Sequence, residues 1–264
     1  MNVFITGAAG GLGRAFAVEC AKRGYDLFLT DVDEQRLNAI KDGLLRRYDI
    51  ETVAFACDIT NEDAVTKMLA HAEELDMRFD MLLNVAGLDF EGGFVARDSR
   101  QITDIVRLNV EATLRVTHSV LAHRRRNLPF YIVFVSSLAS MYPIPLKATY
   151  AASKRFLLDF SIALGQELKS QNASVLSLCP GGLATTPQAL NGIAAQGFWG
   201  RATTNRLETV ARRTITKALS KKRVYVPGVV NRVFSIAGRL VPPHLIARML
   251  HGRWVKAQAK WLSV

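Results

Sequence analysis

Tyr150 and Lys154 stand four residues apart in a stretch of helical period, and the preceding apolar run ends in Ser136 and Ser137. Residues i and i+4 lie on the same face of a helix. An ammonium beside a phenol stabilises the phenolate and lowers a pKa that is otherwise about 10. The pair therefore predicts a proton donor and acceptor that works near neutral pH. Because this spacing also arises by chance in helices, it gains meaning only from the motifs around it.

A glycine-rich turn follows the first apolar run and leads into a helix, in the order Thr6-Gly7-Ala8-Ala9-Gly10-Gly11-Leu12-Gly13. Glycines let the backbone turn tightly and approach a pyrophosphate, whose charge is met by the N–H groups at the helix start. The spacing G-x-x-x-G-x-G differs from the common G-x-G-x-x-G, and tight strand-to-helix packing is the competing interpretation. Its position on the first strand and first helix favours a phosphate site.

Three further runs end in residues that suit the adenosine half of a dinucleotide. Asp31 can accept both ribose hydroxyls and would repel a 2′-phosphate, so it favours NAD over NADP. Its alternative role, as N-cap of the next helix, has a competitor in Asp33. Asp58 and Ile59 suit an adenine amino group and ring, and the small residues of Asn84-Val85-Ala86-Gly87 leave room beneath a cofactor. Each of these last two is also compatible with a plain turn.

All these motifs lie at junctions between predicted strands and helices. Apolar runs predict strands at Val3–Thr6, Asp26–Thr30, Thr52–Ala56, Met81–Asn84, Phe130–Val135, Ser174–Leu178 and Val224–Val226. Helical periods lie near 11–24, 34–47, 61–76, 99–122, 149–170 and 206–220. This alternation predicts an α/β fold with a single doubly wound parallel sheet and helices on both faces. We predict one domain over residues 1–227, with its ligand beyond the C-terminal ends of the strands.

The composition of the 264 residues, 49% hydrophobic and 22% charged, fits one globular domain and excludes a disordered or collagen-like chain. The net charge of +11 is unevenly distributed, because Glu208 is the last acidic residue and 12 of the 34 basic residues follow it. The first 208 residues carry 22 positive and 23 negative charges. The basicity therefore belongs to the C-terminal part of the chain.

Residues 228–264, termed here the C-terminal extension, have an apolar helical period from Val229 to Val241 and a second one after Pro242-Pro243. Helices with an apolar and a basic face can lie on anionic membranes. We favour the alternative, in which the apolar faces pack on the sheet, on a lid or on another subunit. No nucleic acid partner is predicted, since no known reader motif accompanies the charge.

Cys20, Cys57 and Cys179 have no metal-like or redox-like spacing, and the five histidines form no H-x-x-x-H pair. No metal site is predicted. The N-terminus begins in an apolar run rather than a basic leader, and no uncharged apolar stretch of about 18 residues is present. We therefore expect a cytoplasmic protein, peripheral to a membrane if the extension binds lipid.

Six motifs in order resemble the short-chain dehydrogenase/reductase family: Thr6-Gly7-x-x-x-Gly11-x-Gly13, Asn84-Val85-Ala86-Gly87, Asn109, Ser137, Tyr150-x-x-x-Lys154 and Pro180-Gly181-Gly182-Leu183-Ala184-Thr185. The resemblance covers about residues 1–227, and the separation of 13 between Ser137 and Tyr150 is usual in that family. Asn-Val-Ala-Gly departs from the commoner Asn-Asn-Ala-Gly, which affects fine cofactor contacts rather than the class.

The resemblance implies a Rossmann-type domain that transfers a hydride between nicotinamide and an alcohol or ketone carbon. It implies that Tyr150 exchanges the hydroxyl proton, that Lys154 lowers the tyrosine pKa and bonds the nicotinamide ribose, and that Ser137 orients the substrate oxygen. Asn109 would hold a helix kink and a water that connects Lys154 to solvent. Its apolar neighbours suggest burial, where a side-chain amide needs a partner.

The cofactor residues assigned from the motifs and the resemblance include Leu183 and Thr185, which would bind the carboxamide. The full set is Thr6, Gly7, Gly11, Leu12, Gly13, Asp31, Asp58, Ile59, Asn84, Ala86, Gly87, Tyr150, Lys154, Pro180, Gly181, Leu183 and Thr185.

The sequence gives less information about the residues that bind the substrate. Apolar side chains that suit a pocket for a lipophilic alcohol or carbonyl compound, or equally the core or surface, are Phe94, Leu138, Tyr142, Leu190 and Trp199. Residues 187–199 would form a mobile lid. By resemblance we expect a homodimer or homotetramer. The competing hypothesis is a non-catalytic dinucleotide-binding sensor or scaffold with a membrane- or partner-binding tail, but a sensor has no use for the complete set Asn109, Ser137, Tyr150 and Lys154.

Overall fold

The computed structural model describes residues 1–185, 190–191, 193–194 and 197–262. Within these residues, seven strands form one parallel sheet in the order β3-β2-β1-β4-β5-β6-β7. They are β1 Asn2–Thr6, β2 Asp26–Asp31, β3 Thr52–Ala56, β4 Met81–Asn84, β5 Phe130–Val135, β6 Ala173–Leu178 and β7 Val224–Tyr225. Each predicted strand is confirmed to within one residue at either end.

The helices cover both faces of this sheet. They are α1 Gly11–Lys22, α2 Glu34–Leu45, α3 Glu62–Glu74, α4 Ser99–Val106, α5 Thr113–Ala122, α6 Ala148–Glu167, α7 Gly197–Thr203, α8 Leu207–Leu219, α9 Val229–Leu240 and α10 Pro243–Leu262. The continuous helix predicted over 99–122 is interrupted by a π-helical segment, Arg107–Ala112. The break predicted at Pro242-Pro243 is confirmed, because α9 ends before it and α10 begins inside it.

Successive residues of each strand point to opposite faces, so the sheet separates two cores. On one face, Val3 and Ile5 of β1 pack with Phe16 of α1. On the other face, Phe4 packs with Val116 of α5. Because both faces are covered by helices, the strands are apolar without alternation, which is the pattern that predicted them.

The strand order reverses between β1 and β4, so a crevice forms at their C-terminal ends. The glycine turn follows β1 at this crevice, and the motifs predicted to be catalytic follow β5 and lie near the start of α6. Among the helices of the described part of the chain, none combines the length and apolar character needed to cross a membrane.

Candidate active site

The glycine turn is closed so tightly that side chains would not fit. A Cβ at Gly13 would overlap the carbonyl oxygen of Gly7. Gly7 itself has φ +65°, and its Cβ would lie 2.7 Å from the backbone nitrogen of Ala86 at the end of β4. A Cβ at Gly11 would meet Thr185 at 3.1 Å. The structure therefore brings three separate predicted segments together at the start of α1, where backbone N–H groups suit a pyrophosphate.

Thr6 and Asn84 stabilise the packing of the glycine turn against the end of β4 through hydrogen bonds of their side chains. The Thr6 hydroxyl accepts the backbone N–H groups of Val85 at 3.0 Å and Ala86 at 3.2 Å. The Asn84 amide donates to the hydroxyl of Thr117 at 3.0 Å, and both Thr6 and Asn84 are buried. Their side chains thus support the loops of the crevice, as does the buried side chain of Leu12 in the core.

Asp31 connects the end of β2 to the glycine turn. Its Oδ2 accepts the backbone N–H of Ala9 at 2.9 Å, and its Oδ1 accepts that of Asp33 at 3.2 Å. The N-cap of α2 is Asp33, which accepts the backbone N–H of Arg36 at 3.0 Å. A carboxylate has about four acceptor sites, so Asp31 retains capacity for further hydrogen bonds.

Asp58 and Ile59 take different positions after β3. Asp58 is exposed, and its Oδ1 accepts both the backbone N–H and the hydroxyl of Thr60, at 2.9 and 2.7 Å. Ile59 is buried in the core that contains Phe4. Asn61 caps α3 by accepting the backbone N–H of Ala64 at 3.0 Å.

Ser137, Tyr150 and Lys154 meet beyond the end of β5. The Ser137 side chain is a polar neighbour that lowers the pKa of Tyr150, and its Oγ accepts the backbone N–H of Ala139 at 3.1 Å. The Lys154 ammonium donates to the carbonyl oxygen of Val135 at 2.9 Å and lies 5.7 Å from the centroid of the Tyr150 ring. Ser136 is buried and donates to the carbonyl oxygen of Lys154 at 2.7 Å, so it supports α6 while Ser137 contacts the tyrosine.

Burial, with a smaller contribution from the carboxylate of Asp89, raises the pKa of Tyr150 to about 12. The Lys147 ammonium and the Ser137 side chain act in the opposite direction without outweighing the burial. The sequence predicted a lowered pKa, and this prediction is wrong for the structure because desolvation of the phenolate dominates over the nearby cations. Tyr150 therefore holds its proton at neutral pH.

Burial lowers the pKa of Lys154 to about 8, against smaller raising effects of Asp89 and Cys179. The side chain is almost fully buried. Gly87 leaves the space beside it, because a Cβ there would lie 3.1 Å from both the Lys154 Nζ and the Asn109 Oδ1.

Asn109 lies in the π-helical segment and has no exposed surface. Its Oδ1 accepts the backbone N–H of Leu88 at 2.8 Å, and its Nδ2 donates to the Leu88 carbonyl at 2.9 Å and to Ser153 Oγ at 3.1 Å. The helix is interrupted by the π-helical segment at Asn109, and the expected partners of a buried amide are present. Ser153 was not among the predicted residues, although it stands one position before Lys154.

An ion cluster beside Tyr150 was not predicted from the sequence. The Lys147 ammonium lies 2.6 Å from Asp89 Oδ2 and 2.5 Å from Glu91 Oε1, and 5.5 Å from the centroid of the Tyr150 ring. Burial disfavours its charge, but the two carboxylates together raise the pKa of Lys147. The only signal in the sequence is a lysine three residues before Tyr150, because its partners come from the loop after β4.

The loop after β6 is organised by Asn205, another residue that the sequence analysis missed. Asn205 Oδ1 accepts the backbone N–H of Gly181 at 3.0 Å, and its backbone N–H donates to Gly182 at 2.8 Å. Leu183 pairs with Asn205 in an isolated parallel bridge. The carbonyl of Pro180 accepts the N–H of Leu138 at 2.7 Å, so this loop is tied to the segment that carries Ser137.

A cleft opens in front of Tyr150. Its lining is mainly apolar with two cations and comprises Phe90, Gly92, Phe94, Arg97, Gln101, Ile102, Ile105, Leu146, Lys147, Ala148, Thr149 and Tyr150. Phe94 was predicted for this role. Leu138 and Tyr142 were also predicted but do not line this cleft, because they pack with the buried Met141 and Cys179.

The other predicted substrate residues lie after β6. Leu190 is exposed. The side chain of Trp199 and much of the predicted lid, including residues 187–189, lie outside the described part of the chain.

Comparisons with known proteins agree with this architecture. A model of the short chain dehydrogenase family matches residues 1–192. The very-long-chain 3-oxoacyl-CoA reductase of Laccaria bicolor is 35% identical over 178 residues, covering 65% of this chain and 51% of that protein. The protein of that name from Bos taurus is 30% identical over 185 residues, covering 69% and 59%. The chain thus spans about half the length of the curated relatives that it matches.

Solved structures show the same fold. A short-chain dehydrogenase from Sphingobium yanoikuyae in complex with NADPH superposes with a TM-score of 0.72 at 25% identity, over 90% of this chain and 92% of that one. A short-chain dehydrogenase/reductase from Burkholderia phymatum in complex with NAD has a TM-score of 0.76 at 22% identity, over 85% and 88%.

The fold and the crevice define a Rossmann-type domain of the short-chain dehydrogenase kind. The chain belongs to the short-chain dehydrogenase/reductase family. The relatives carry the names of enzymes, which gives no support to the alternative of a non-catalytic sensor or scaffold.

Proposed function

We propose that this chain is a reductase in which Tyr150 gives a proton to the carbonyl oxygen of a lipophilic substrate. The observation that carries the proposal is the position of Tyr150 in the lining of the cleft, with Lys154 beside its ring and Ser137 as its neighbour. With a pKa of about 12, Tyr150 is protonated at neutral pH, which is the state that reduction requires. A bound nicotinamide dinucleotide would supply the hydride.

The residues that surround the crevice fit such a dinucleotide. The glycine turn leaves no room for side chains and opens the backbone N–H groups at the start of α1 to a pyrophosphate. Asp31 stands at the end of β2, where a ribose would lie. Lys154 and the loop from Pro180 to Thr185 would hold the nicotinamide half.

Residues of the chain would then bind the substrate oxygen and transfer a proton to it. Ser137 would donate a hydrogen bond to the oxygen, and Tyr150 would transfer its proton to it. Lys154 would stabilise the resulting phenolate, because a pKa of about 8 leaves it mostly ionised at neutral pH. Asn109 would position Lys154 from the buried π-helical segment, through the space that Gly87 leaves open.

We propose a 3-oxoacyl thioester as the substrate class. The curated relatives named as 3-oxoacyl-CoA reductases support this at 30–35% identity. The aromatic and aliphatic lining of the cleft, with Phe90, Phe94 and Leu146, suits an acyl chain, and the half-buried Arg97 suits an anionic carrier.

The substrate class is tested with 3-oxoacyl-CoA thioesters of short, medium and long chains, assayed by nicotinamide absorbance. We expect kcat/KM to rise with chain length, by up to about fourfold per methylene that becomes buried, since each contributes ~0.8 kcal/mol. Simple ketones of matched length serve as controls for the thioester. Equal kcat/KM values across the series would exclude a lipophilic acyl pocket.

We further propose that NAD is preferred over NADP, because the Asp31 carboxylate would repel a 2′-phosphate. The variant Asp31→Asn keeps an acceptor for the Ala9 N–H and removes the charge. We expect the ratio of kcat/KM for NADH over NADPH to fall at least about tenfold in the variant, since a like-charge contact of ~1.4 kcal/mol corresponds to tenfold. Asp33→Asn, two residues away at the α2 cap, is the matched control. A wild-type protein that prefers NADPH would refute the proposal.

Assembly as a homodimer or homotetramer is proposed from the outer face of α6. Phe156 and Ile162 are exposed there, and Phe156 stacks on Phe160 with 5.8 Å between ring centroids. Exposed large apolar side chains on a helix are typical of subunit contacts. A cytoplasmic location is proposed as well, and the free, buried cysteines of the described chain fit a reducing compartment.

A further inference from the structure

Helix α9 packs with its polar side towards the protein and its apolar side outward. Asn231 and Ser235 are 1% and 8% exposed, and Gly238 lies against the Tyr142 ring, where a Cβ would approach to 2.6 Å. The outward residues are spaced 4, 3 and 4 apart, which places them on one stripe of the helix. This stripe, the α9 apolar face, consists of Val229, Val233, Ile236 and Leu240, which are 68%, 58%, 60% and 80% exposed.

The orientation of α9 is fixed by polar contacts. The Asn231 Nδ2 lies 2.8 Å from the carbonyl oxygen of Pro227, 3.1 Å from that of Thr203 and 3.1 Å from Asn205 Oδ1. A rotation that buried the α9 apolar face would break these buried hydrogen bonds. The apolar period predicted packing on the sheet, on a lid or on another subunit; within this chain the α9 apolar face is exposed, so it does not pack on the sheet.

The charged residues of the C-terminal extension, which contains this face, are all basic. Residues 228–264 contain six Lys and Arg and no Asp or Glu. Arg232 in α9 and Arg248 in α10 are exposed, and α10 adds further exposed apolar side chains, Leu245, Met249 and Val255. An apolar stripe with basic flanks is typical of a helix that lies in a membrane interface.

We propose that the α9 apolar face docks on an anionic membrane surface. Lipid headgroups of negative charge complement the basic extension, and each Lys or Arg near such a surface adds to the attraction. A twofold contact with a second copy would bring the same basic patch against itself, with no acidic residue in the extension to compensate it. The charge therefore favours a lipid surface over a symmetric subunit contact.

Docking through α9 would place the membrane next to the catalytic crevice. Asn205 links the two, because its Oδ1 accepts from both Asn231 of α9 and the backbone N–H of Gly181. A lipophilic substrate could then pass from the bilayer to the cleft without crossing water. This consequence rests on the proposed function, whereas the docking itself does not.

The test is co-sedimentation of the full chain with vesicles of phosphatidylcholine alone or mixed with phosphatidylglycerol, without substrate. The double variant Val233→Glu with Ile236→Glu places two carboxylates on the α9 apolar face. The control, Leu45→Glu with Leu75→Glu, adds the same charge at exposed leucines at the ends of α2 and α3.

We expect the wild-type chain and the control to bind the anionic vesicles at least about tenfold more strongly than the neutral ones, and the α9 double variant to lose at least about tenfold. Absence of wild-type binding, or equal loss in both double variants, would overturn the proposal. A lower sedimentation coefficient of the α9 variant without vesicles would also overturn it, because a second copy would then cover the face. Thermal unfolding verifies that each variant is folded. Since no substrate is present, failure of the proposed reductase activity would leave this result unaffected.

Discussion

The variant Tyr150→Phe is expected to lower kcat for carbonyl reduction by about 10²–10⁴-fold, the range typical of a lost general acid. The change removes only the hydroxyl, whose pKa Ser137 lowers, and leaves the ring beside Lys147 and Lys154 in place. Dinucleotide affinity should therefore stay nearly unchanged. Turnover is measured by nicotinamide absorbance and affinity by quenching of intrinsic fluorescence.

Tyr131→Phe is the matched control, because it removes the same atom from a half-buried tyrosine in the middle of the sheet. We expect its kcat to equal that of the wild-type protein. Near-normal turnover in Tyr150→Phe would remove the tyrosine from the mechanism. A loss confined to dinucleotide binding would assign it to the cofactor site alone.

The positions of the strands could be predicted from the sequence because a parallel sheet covered on both faces needs apolar residues without alternation. The same rule places ligand sites at the C-terminal strand ends, so the glycine turn, Asp31 and Ser137 could all be assigned to one edge of the sheet from the order of the motifs. The residue types next to each strand were enough to assign these motifs, since each motif lies within a few residues of the end of its strand.

Contacts between distant segments could not be predicted in this way. Lys147 meets Asp89 across 58 residues, and nothing in the sequence near either residue indicates the pair. The pKa of Tyr150 depends on the same information, because the balance between burial and nearby charges is set by tertiary packing. Thr6 and Asn84 are polar types that suit a ligand, yet the fold uses them to hold its own loops.

The orientation of α9 shows a further limit. Its helical period was readable, but periodicity gives the two faces of a helix and not which one meets the protein. The usual assumption, that the apolar face packs inward, failed here because Asn231 satisfies three acceptors beneath the helix. The hydrogen bonds of one buried amide therefore set the orientation of α9, although this leaves four aliphatic side chains exposed.

Lys154→Met is expected to make the protein more stable and less active. Burial lowers the pKa of Lys154 from 10.5 to about 8, which corresponds to a penalty of the order of 3 kcal/mol for folding with the charged group. Methionine fills a similar volume without charge, while the carbonyl of Val135 loses its donor, a loss of ~1 kcal/mol. The net gain of ~2 kcal/mol should raise Tm at pH 7 by about 5 °C. The kcat should fall at least about 10²-fold, because the phenolate of Tyr150 loses its neighbouring cation.

The pH dependence of stability shows whether the higher Tm of Lys154→Met comes from removal of the buried ammonium or from a general change in packing. Below pH 8 Lys154 is protonated in the folded and unfolded chains alike, so the penalty is complete. Between about pH 8 and 10.5 the unfolded chain binds a proton that the folded chain does not, and stability rises with pH. Lys154→Met should lack this rise in a series of Tm values.

Lys147→Met is the matched control, and its effect should have the opposite sign. The carboxylates of Asp89 and Glu91 raise the pKa of Lys147, so its charged form stabilises the fold below its unfolded pKa and this contribution is lost as the pH rises through the folded pKa. Its removal leaves two half-buried carboxylates uncompensated and should lower Tm at pH 7. If Tm falls in both variants, the charged form of Lys154 stabilises the fold. The proposal that the buried Lys154 ammonium destabilises the fold would then be wrong.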